Sequence, residues 1–158
     1  MDKSTNDYVS IYHSALQKGD IQIAYGRLVK YVMALCAHFS KRTNSLVWNV
    51  SPGYLDYTYF PFFNEFLREK KLRFGIVLNH LDMRFELWLM GQNAVVQSAF
   101  WARLKGARWN RHRLDMPKYA VLEAVLVDIP DFDDPERLTA MLELAALELA
   151  DEILPYLS

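Results

Sequence analysis

The sequence predicts an α+β fold: an N-terminal helical hairpin, a small and mainly antiparallel sheet built on a central β-hairpin at about residues 72–90, and helices on the C-terminal side. Three observations carry that prediction. Residues 71–92, KLRFGIVLNHLDMRFELWLMGQ, alternate apolar and mixed side chains with period two on either side of a short turn. Residues 6–39 repeat apolar side chains at helical spacing, interrupted at Lys18-Gly19. Residues 134–154 open with Asp134-Pro135 and then keep an apolar stripe of helical period. A chain of 158 residues is long enough for one domain with a real core, and residues 1–158 are assigned to it.

The hairpin sets its own register. Leu72, Phe74, Ile76 and Leu78 share one face of the first strand, and Phe85, Leu87 and Leu89 share one face of the second. A turn of two or four residues centred on Leu81-Asp82 pairs Leu78 with Phe85, Ile76 with Leu87 and Phe74 with Leu89. Every pair on that face is apolar, and a slip of one residue would destroy the match. On the opposite face Asn79 meets Arg84, Val77 meets Glu86, Gly75 meets Trp88 and Arg73 meets Met90. The Trp88 ring is expected to cover the bare Gly75 backbone. Two readings of this polar face stand: a half-solvated surface with a cross-strand ion pair, or a surface that faces a ligand.

The remaining elements follow in order. Tyr8, Ile11, Tyr12, Ala15 and Leu16 mark a helix over residues 6–17, which Gly19 stops, and Asp20 is expected to cap the next. That second helix carries Ile21, Ala24, Leu28, Val32, Leu35 and Phe39 on one stripe. Residues 41–53 read as a loop, and residues 54–60, YLDYTYF, as an internal strand that Pro61 ends. Residues 62–70 fit a short helix with Phe63, Phe66 and Leu67 inward. Asn93 caps a helix over residues 94–104. Residues 119–127, YAVLEAVLV, fit a strand better than a helix, because the polar IPDFDD after them suits a strand-to-helix loop. The last helix keeps Leu138, Met141, Leu142, Ala145, Leu149 and Ile153 inward.

Composition narrows the class. The chain is 52% hydrophobic and 14% aromatic, which excludes disorder and leaves aromatic surface for a partner or ligand. A net charge of −1 argues neither for nor against nucleic acid. The opening MDKSTND lacks a secretory pattern, and no apolar run reaches membrane-spanning length, so a cytoplasmic protein without membrane contact is expected. Cys36 is the single cysteine, on a helix beside Leu35 and Ala37, and reads as a small buried hydrophobe in a reducing compartment.

Two sets of residues stand out as candidate sites. The first is the polar hairpin face with its neighbour strand: Arg73, Arg84, Glu86, Trp88, Asp56 and Tyr57 as ligand-binding candidates, with Tyr59 a further aromatic anchor. The second is WARLKGARWNRHR, where Trp101 and Trp109 alternate with Arg103, Lys105, Arg108, Arg111, His112 and Arg113. Bases stack on aromatic rings while cations neutralise phosphates, so this stretch carries the nucleic-acid alternative. Against it, residues 103–118 hold six bases and one acid, and from Glu123 onward there are ten acids and one base, so the two segments complement each other within the chain or across a homodimer. His80 and Asp82 flank a turn residue, but a zinc site needs more ligands and only His112 is of the right type, so no metal site is assigned. Asp82 is explained by turn chemistry. Phosphate loops, dinucleotide-binding glycine patterns and nucleophile elbows are absent, and no cofactor is indicated. The expected function is that of a cytoplasmic binding or interaction domain for a small molecule or protein, with nucleic acid less favoured and catalysis unassigned.

GDIQIAYGRLVKYVMAL, YLDYTYFPF, IVLNHLDMRFELWLMGQN and IPDFDD together resemble a small family of uncharacterised bacterial proteins over nearly the whole chain. That resemblance implies a bacterial source and no particular chemistry. The element order also resembles restriction-nuclease-like domains. This implies a metal-dependent hydrolase with Asp56 on the first strand, Glu86 on the hairpin, and a lysine where Trp88 stands, with Lys71 as a possible substitute.

Overall fold

A computed structural model describes residues 2–158 of the chain. The elements run α1 (Thr5–Gln17), α2 (Asp20–Arg42), β1 (Leu46–Val47), β2 (Tyr57–Phe63), α3 (Glu65–Glu69), β3 (Leu72–Asn79), β4 (Arg84–Gly91), α4 (Ala94–Leu104), β5 (Leu122–Val127) and α5 (Pro135–Ile153). A 3₁₀ turn at Leu154–Leu157 closes the chain. The five strands form one antiparallel meander, each paired with its neighbour in sequence. The fold is α+β.

The β3–β4 register is the one the alternation dictates: Leu78 opposite Phe85, Ile76 opposite Leu87, Phe74 opposite Leu89, and Asn79, Val77, Gly75 and Arg73 opposite Arg84, Glu86, Trp88 and Met90. Four residues, His80 to Met83, make the turn. Asn79 fixes it by accepting from the Asp82 N–H at 3.2 Å and donating to the Asp82 carboxylate at 3.2 Å. The apolar face carries the main core. Phe60, Phe62, Phe74, Ile76, Leu78, Phe85, Leu87, Leu89 and Leu122 pack there against Val32, Leu35 and Phe39 of α2, Leu104 of α4, and Leu138, Leu142 and Ala146 of α5. On β5 a register shift opposite Phe85/Glu86 places Val127, not Leu126, against Phe85, which turns one more apolar residue inward.

Several local expectations change. Pro61 does not end the strand; β2 continues through Phe63, and Phe62 and Phe63 lie in the sheet rather than on a helix. The Pro61 carbonyl accepts from Trp48 N–H on the β1 side. The proline nitrogen therefore also points away from β3, and no β2–β3 ladder bond is lost. The helix that follows is only Glu65–Glu69, capped by Asn64; it buries Leu67 and leaves Phe66 exposed. The predicted loop 41–53 contains the short strand β1 and a bridge from Ser51 to Tyr59. Gly19, at φ +81°, is itself the N-cap of α2, so Asp20 sits in the first turn. Ser4 and Asp7 form a capping box that starts α1. α1 buries no side chain, and Ile21 and Ala24 of α2 are exposed, because the sheet supports only the stretch of α2 from Leu28 onward. On α5, Met141 is exposed.

β5 forms where a strand was expected over 119–127, and Asn93 and Asp134 cap α4 and α5 as expected. Two polar contacts tie α2 to the C-terminal part: His38 to Glu143 at 2.7 Å, and the Tyr31 hydroxyl to Thr139 at 3.0 Å.

Candidate functional site

Every helix side chain that enters a buried cluster enters the one on the apolar face. The opposite face carries a second, smaller cluster of Val77, Trp88, Met90 and Ala120, with Tyr57 and Tyr59 against it, and no helix contributes to it. This helix-free face is nonetheless dry over much of its area. Val77, Glu86, Trp88, Met90 and Asn79 are all buried. The half-solvated expectation for this face is therefore corrected. The cover comes from the aromatic side chains of β2 and from the coil between α4 and β5, which lays Tyr119 and Ala120 against the sheet. Gly75 pairs with Trp88 as expected, but the Trp88 ring does not cover it: the atom nearest the missing Cβ is Met90 Cε, at 2.6 Å. Trp88 turns instead toward Tyr57, with ring centroids 4.8 Å apart and nearly perpendicular planes.

Glu86 is the polar centre of the face. Its Oε2 accepts from Arg84 Nε at 2.7 Å and Asn79 Nδ2 at 3.1 Å, and its Oε1 accepts from Trp88 Nε1 at 2.9 Å. The ion pair with Arg84 runs along one strand, not across two. Its hydrogen bond to Glu86 holds the Arg84 guanidinium still more firmly protonated than usual. Glu123 on β5 lies on the same face and binds Arg113 at 3.0 Å. Burial pushes the Glu123 carboxyl above its ordinary range, against the opposing pull of Arg113. Burial, with Glu123 and Glu86 nearby, pushes the Tyr57 hydroxyl up as well.

Beside this network the face opens into a groove of about 340 Å³, lined by Tyr57, Tyr59, Trp88, Met90, Arg73 and Tyr119 with Gly53 and Asp56 at the rim. Tyr57 and Tyr119 stand 6.2 Å apart, edge to face. Gly53 is obligatory at the rim: at φ +74° a Cβ would come within 2.1 Å of the Tyr57 carbonyl oxygen. Asp56 lies in the turn before β2 and not on a strand. Its Oδ1 accepts from the N–H groups of Tyr54 at 2.8 Å and Tyr57 at 2.7 Å, which holds its carboxyl below the usual range. The Nε atoms of Arg73 and Arg113 are both buried without a hydrogen-bond partner, but Arg113 has the Glu123 carboxylate on its guanidinium and Arg73 has no carboxylate.

The structure thus gathers Arg73, Trp88, Asp56 and Tyr57 around one groove, and places Arg84 and Glu86 in the polar network next to it. Tyr59 was legible from its i, i+2 relation to Tyr57. Nothing local ties Tyr119, Glu123 or Arg113 to this face, because only the chain's path after α4 brings them here, and the sequence marks Arg113 only as part of the basic stretch.

Apart from Arg113, the basic stretch sits elsewhere. Arg108 pairs with Glu152 and stacks 4.9 Å over the Trp109 ring, and Arg103 donates to the Ser158 carbonyl. Trp109 is buried against Tyr156, and Trp101 is half-buried on α4. Lys105, Arg111 and His112 are exposed. The basic and acidic segments therefore meet within the chain. His80 Nε2 contacts the Thr58 hydroxyl at 2.7 Å, and burial pushes its imidazole below the ordinary range. Among the described residues no three His, Cys, Asp or Glu side chains come together at metal-binding spacing. Cys36 is half-buried and donates to the Trp48 carbonyl, and burial pushes its thiol up. No described helix is long and apolar enough to cross a membrane.

These features define an α+β protein with an antiparallel meander, helices packed on one sheet face, and an aromatic groove on the other. The chain belongs to the family described as Domain of unknown function (DUF7000), whose model matches residues 5–157. No curated protein and no solved structure matches it.

Proposed function

We propose that this protein is a cytoplasmic binding domain that takes a small aromatic ligand in the groove on its helix-free sheet face. The observation that carries the reading is the groove itself: about 340 Å³, within the range of small-molecule sites, walled by Tyr57, Tyr59, Trp88 and Tyr119. Tyrosine and tryptophan offer a planar ring both apolar contact and a polar edge. The Glu86 network supports the reading because it holds Trp88 in one orientation, so the wall is preorganised. The reducing cytoplasm suits a lone half-buried cysteine. Nucleic acid is the weaker candidate, since Arg103, Arg108 and Arg113 already have acceptors and Trp109 is buried. A homodimer joined by the basic and acidic segments loses its motive for the same reason.

The test is a titration with phenol followed by NMR. The Trp88 indole N–H resonance should shift and saturate, and Tyr57→Ala should weaken binding several-fold, as expected for one aromatic contact. Shifts that do not saturate, or that fall outside the groove, would refute the assignment.

A further inference from the structure

Beyond Arg73, where α3 and the end of β2 meet the start of β3, lies a second hollow of about 420 Å³. Trp48 and Phe63 line it together with Arg68, Lys71, Arg73 and Gln92. Three cationic side chains border this space and no carboxylate does. Arg68 has one acidic contact, an exposed pair with Glu65 at 3.7 Å. Lys71 and Arg73 form no ion pair with any described residue. The protein's other half-buried arginines, Arg84 and Arg113, each bind a carboxylate. Arg113 Nε is also buried without an acceptor, but its guanidinium is neutralised by Glu123; Arg73 has neither a carboxylate nor an acceptor for its buried Nε. Buried donors without acceptors are destabilising and rare, so this one calls for an acceptor from outside the chain. Arg73 is also the residue that the hollow shares with the aromatic groove.

We propose that this hollow binds a phosphate-type dianion, so that the ligand of the protein is an aromatic phosphomonoester. Its ring lies against Tyr57 and Trp88, and its phosphate against Arg73, Lys71 and Arg68. The arginine forks match phosphate oxygens with paired N–H donors, and the lysine adds a point charge. The Gln92 amide is a further donor at the rim. Three cations, of which only the exposed Arg68 has an acidic neighbour, suit a double negative charge better than a single one. The ring half of the proposal rests on the groove reading; the anion half does not.

The experiment uses the full chain at constant ionic strength with four probes: phenyl phosphate, phenol, benzoate and inorganic phosphate. NMR follows the Trp88 indole N–H and the Arg73 Nε–H. Phenyl phosphate should saturate both resonances and bind more tightly than any other probe. Inorganic phosphate should saturate Arg73 alone. Lys71→Gln, at an exposed position that leaves the core untouched, should weaken phenyl phosphate about tenfold and leave phenol unchanged. Arg68→Gln should act in the same direction, and Lys105→Gln, an exposed cation of the basic stretch, should do nothing. Phenol binding as tightly as phenyl phosphate would overturn the anion site and leave the groove standing. Benzoate matching phenyl phosphate would overturn the dianion. Equal losses in Lys71→Gln and Lys105→Gln would reduce the effect to general charge and overturn the site. Phosphate binding that depends on Lys71, with Trp88 unmoved by every aromatic probe, would overturn the groove reading and with it the aromatic half of the ligand.

Discussion

Replacing Glu86 by glutamine tests whether the helix-free face is held by a closed polar network. The carboxylate accepts three hydrogen bonds, two on Oε2 and one on Oε1, and is 2% exposed. A glutamine amide has one acceptor oxygen. With its oxygen turned to Arg84 and Asn79, its NH₂ confronts the Trp88 N–H; turned the other way, it confronts two donors. At least one buried donor is left without an acceptor in either orientation. A hydrogen bond to a charged group contributes about 1.5–3 kcal/mol, and breaking a buried pair costs about 3–5 kcal/mol. Arg84 is about one-third exposed, so its share is partly screened by water. The expected loss is therefore about 2–4 kcal/mol. Urea unfolding measures it as a fall in midpoint at constant slope. The Trp88 indole N–H should move in the same variant, since it loses or exchanges its partner. Glu148→Gln, an exposed change on α5, should stay within about 0.5 kcal/mol and serves as the reference. A loss for Glu86→Gln no larger than the reference, with the indole resonance unmoved, would show that water reaches this carboxylate and that the network does not close the face.

Leu87→Ala removes a fully buried side chain from the centre of the main core and should cost about 2–5 kcal/mol by urea unfolding; a loss matching an exposed leucine such as Leu114 would contradict the register. His80 is held neutral by burial, with its folded value below the ordinary 6.5. Its contribution to stability is thus fully present above that ordinary value and is lost as pH falls through the lowered folded one. The stability gap between the wild type and His80→Gln should narrow on acidification across that range, and a gap constant from about pH 8 to about pH 5 would refute the buried neutral imidazole.

The sequence alone determined the elements whose information is local. The β3–β4 register follows from alternation, because Phe74, Ile76 and Leu78 can meet Leu89, Leu87 and Phe85 in only one alignment that keeps bulky apolar groups together. The starts of α4 and α5 follow from Asn93 and Asp134, whose side chains accept from the backbone N–H three residues on. Pro61 misled because a missing N–H matters only on the side where a ladder bond is due, and which side that is depends on the neighbouring strand. Alternation likewise marked Arg73, Glu86 and Trp88 as sharing a face, but period two says nothing about what covers it. Only the tertiary structure decided that the helices gather on the other face, and that the coil after α4 returns to lay Tyr119 beside Tyr57. Tyr57 and Tyr119 lie more than sixty positions apart in sequence, and the geometry of such a contact is set by how whole elements pack. No local pattern of charge or hydrophobicity encodes it, which is why the six candidate side chains were legible one by one and the groove that four of them border was not.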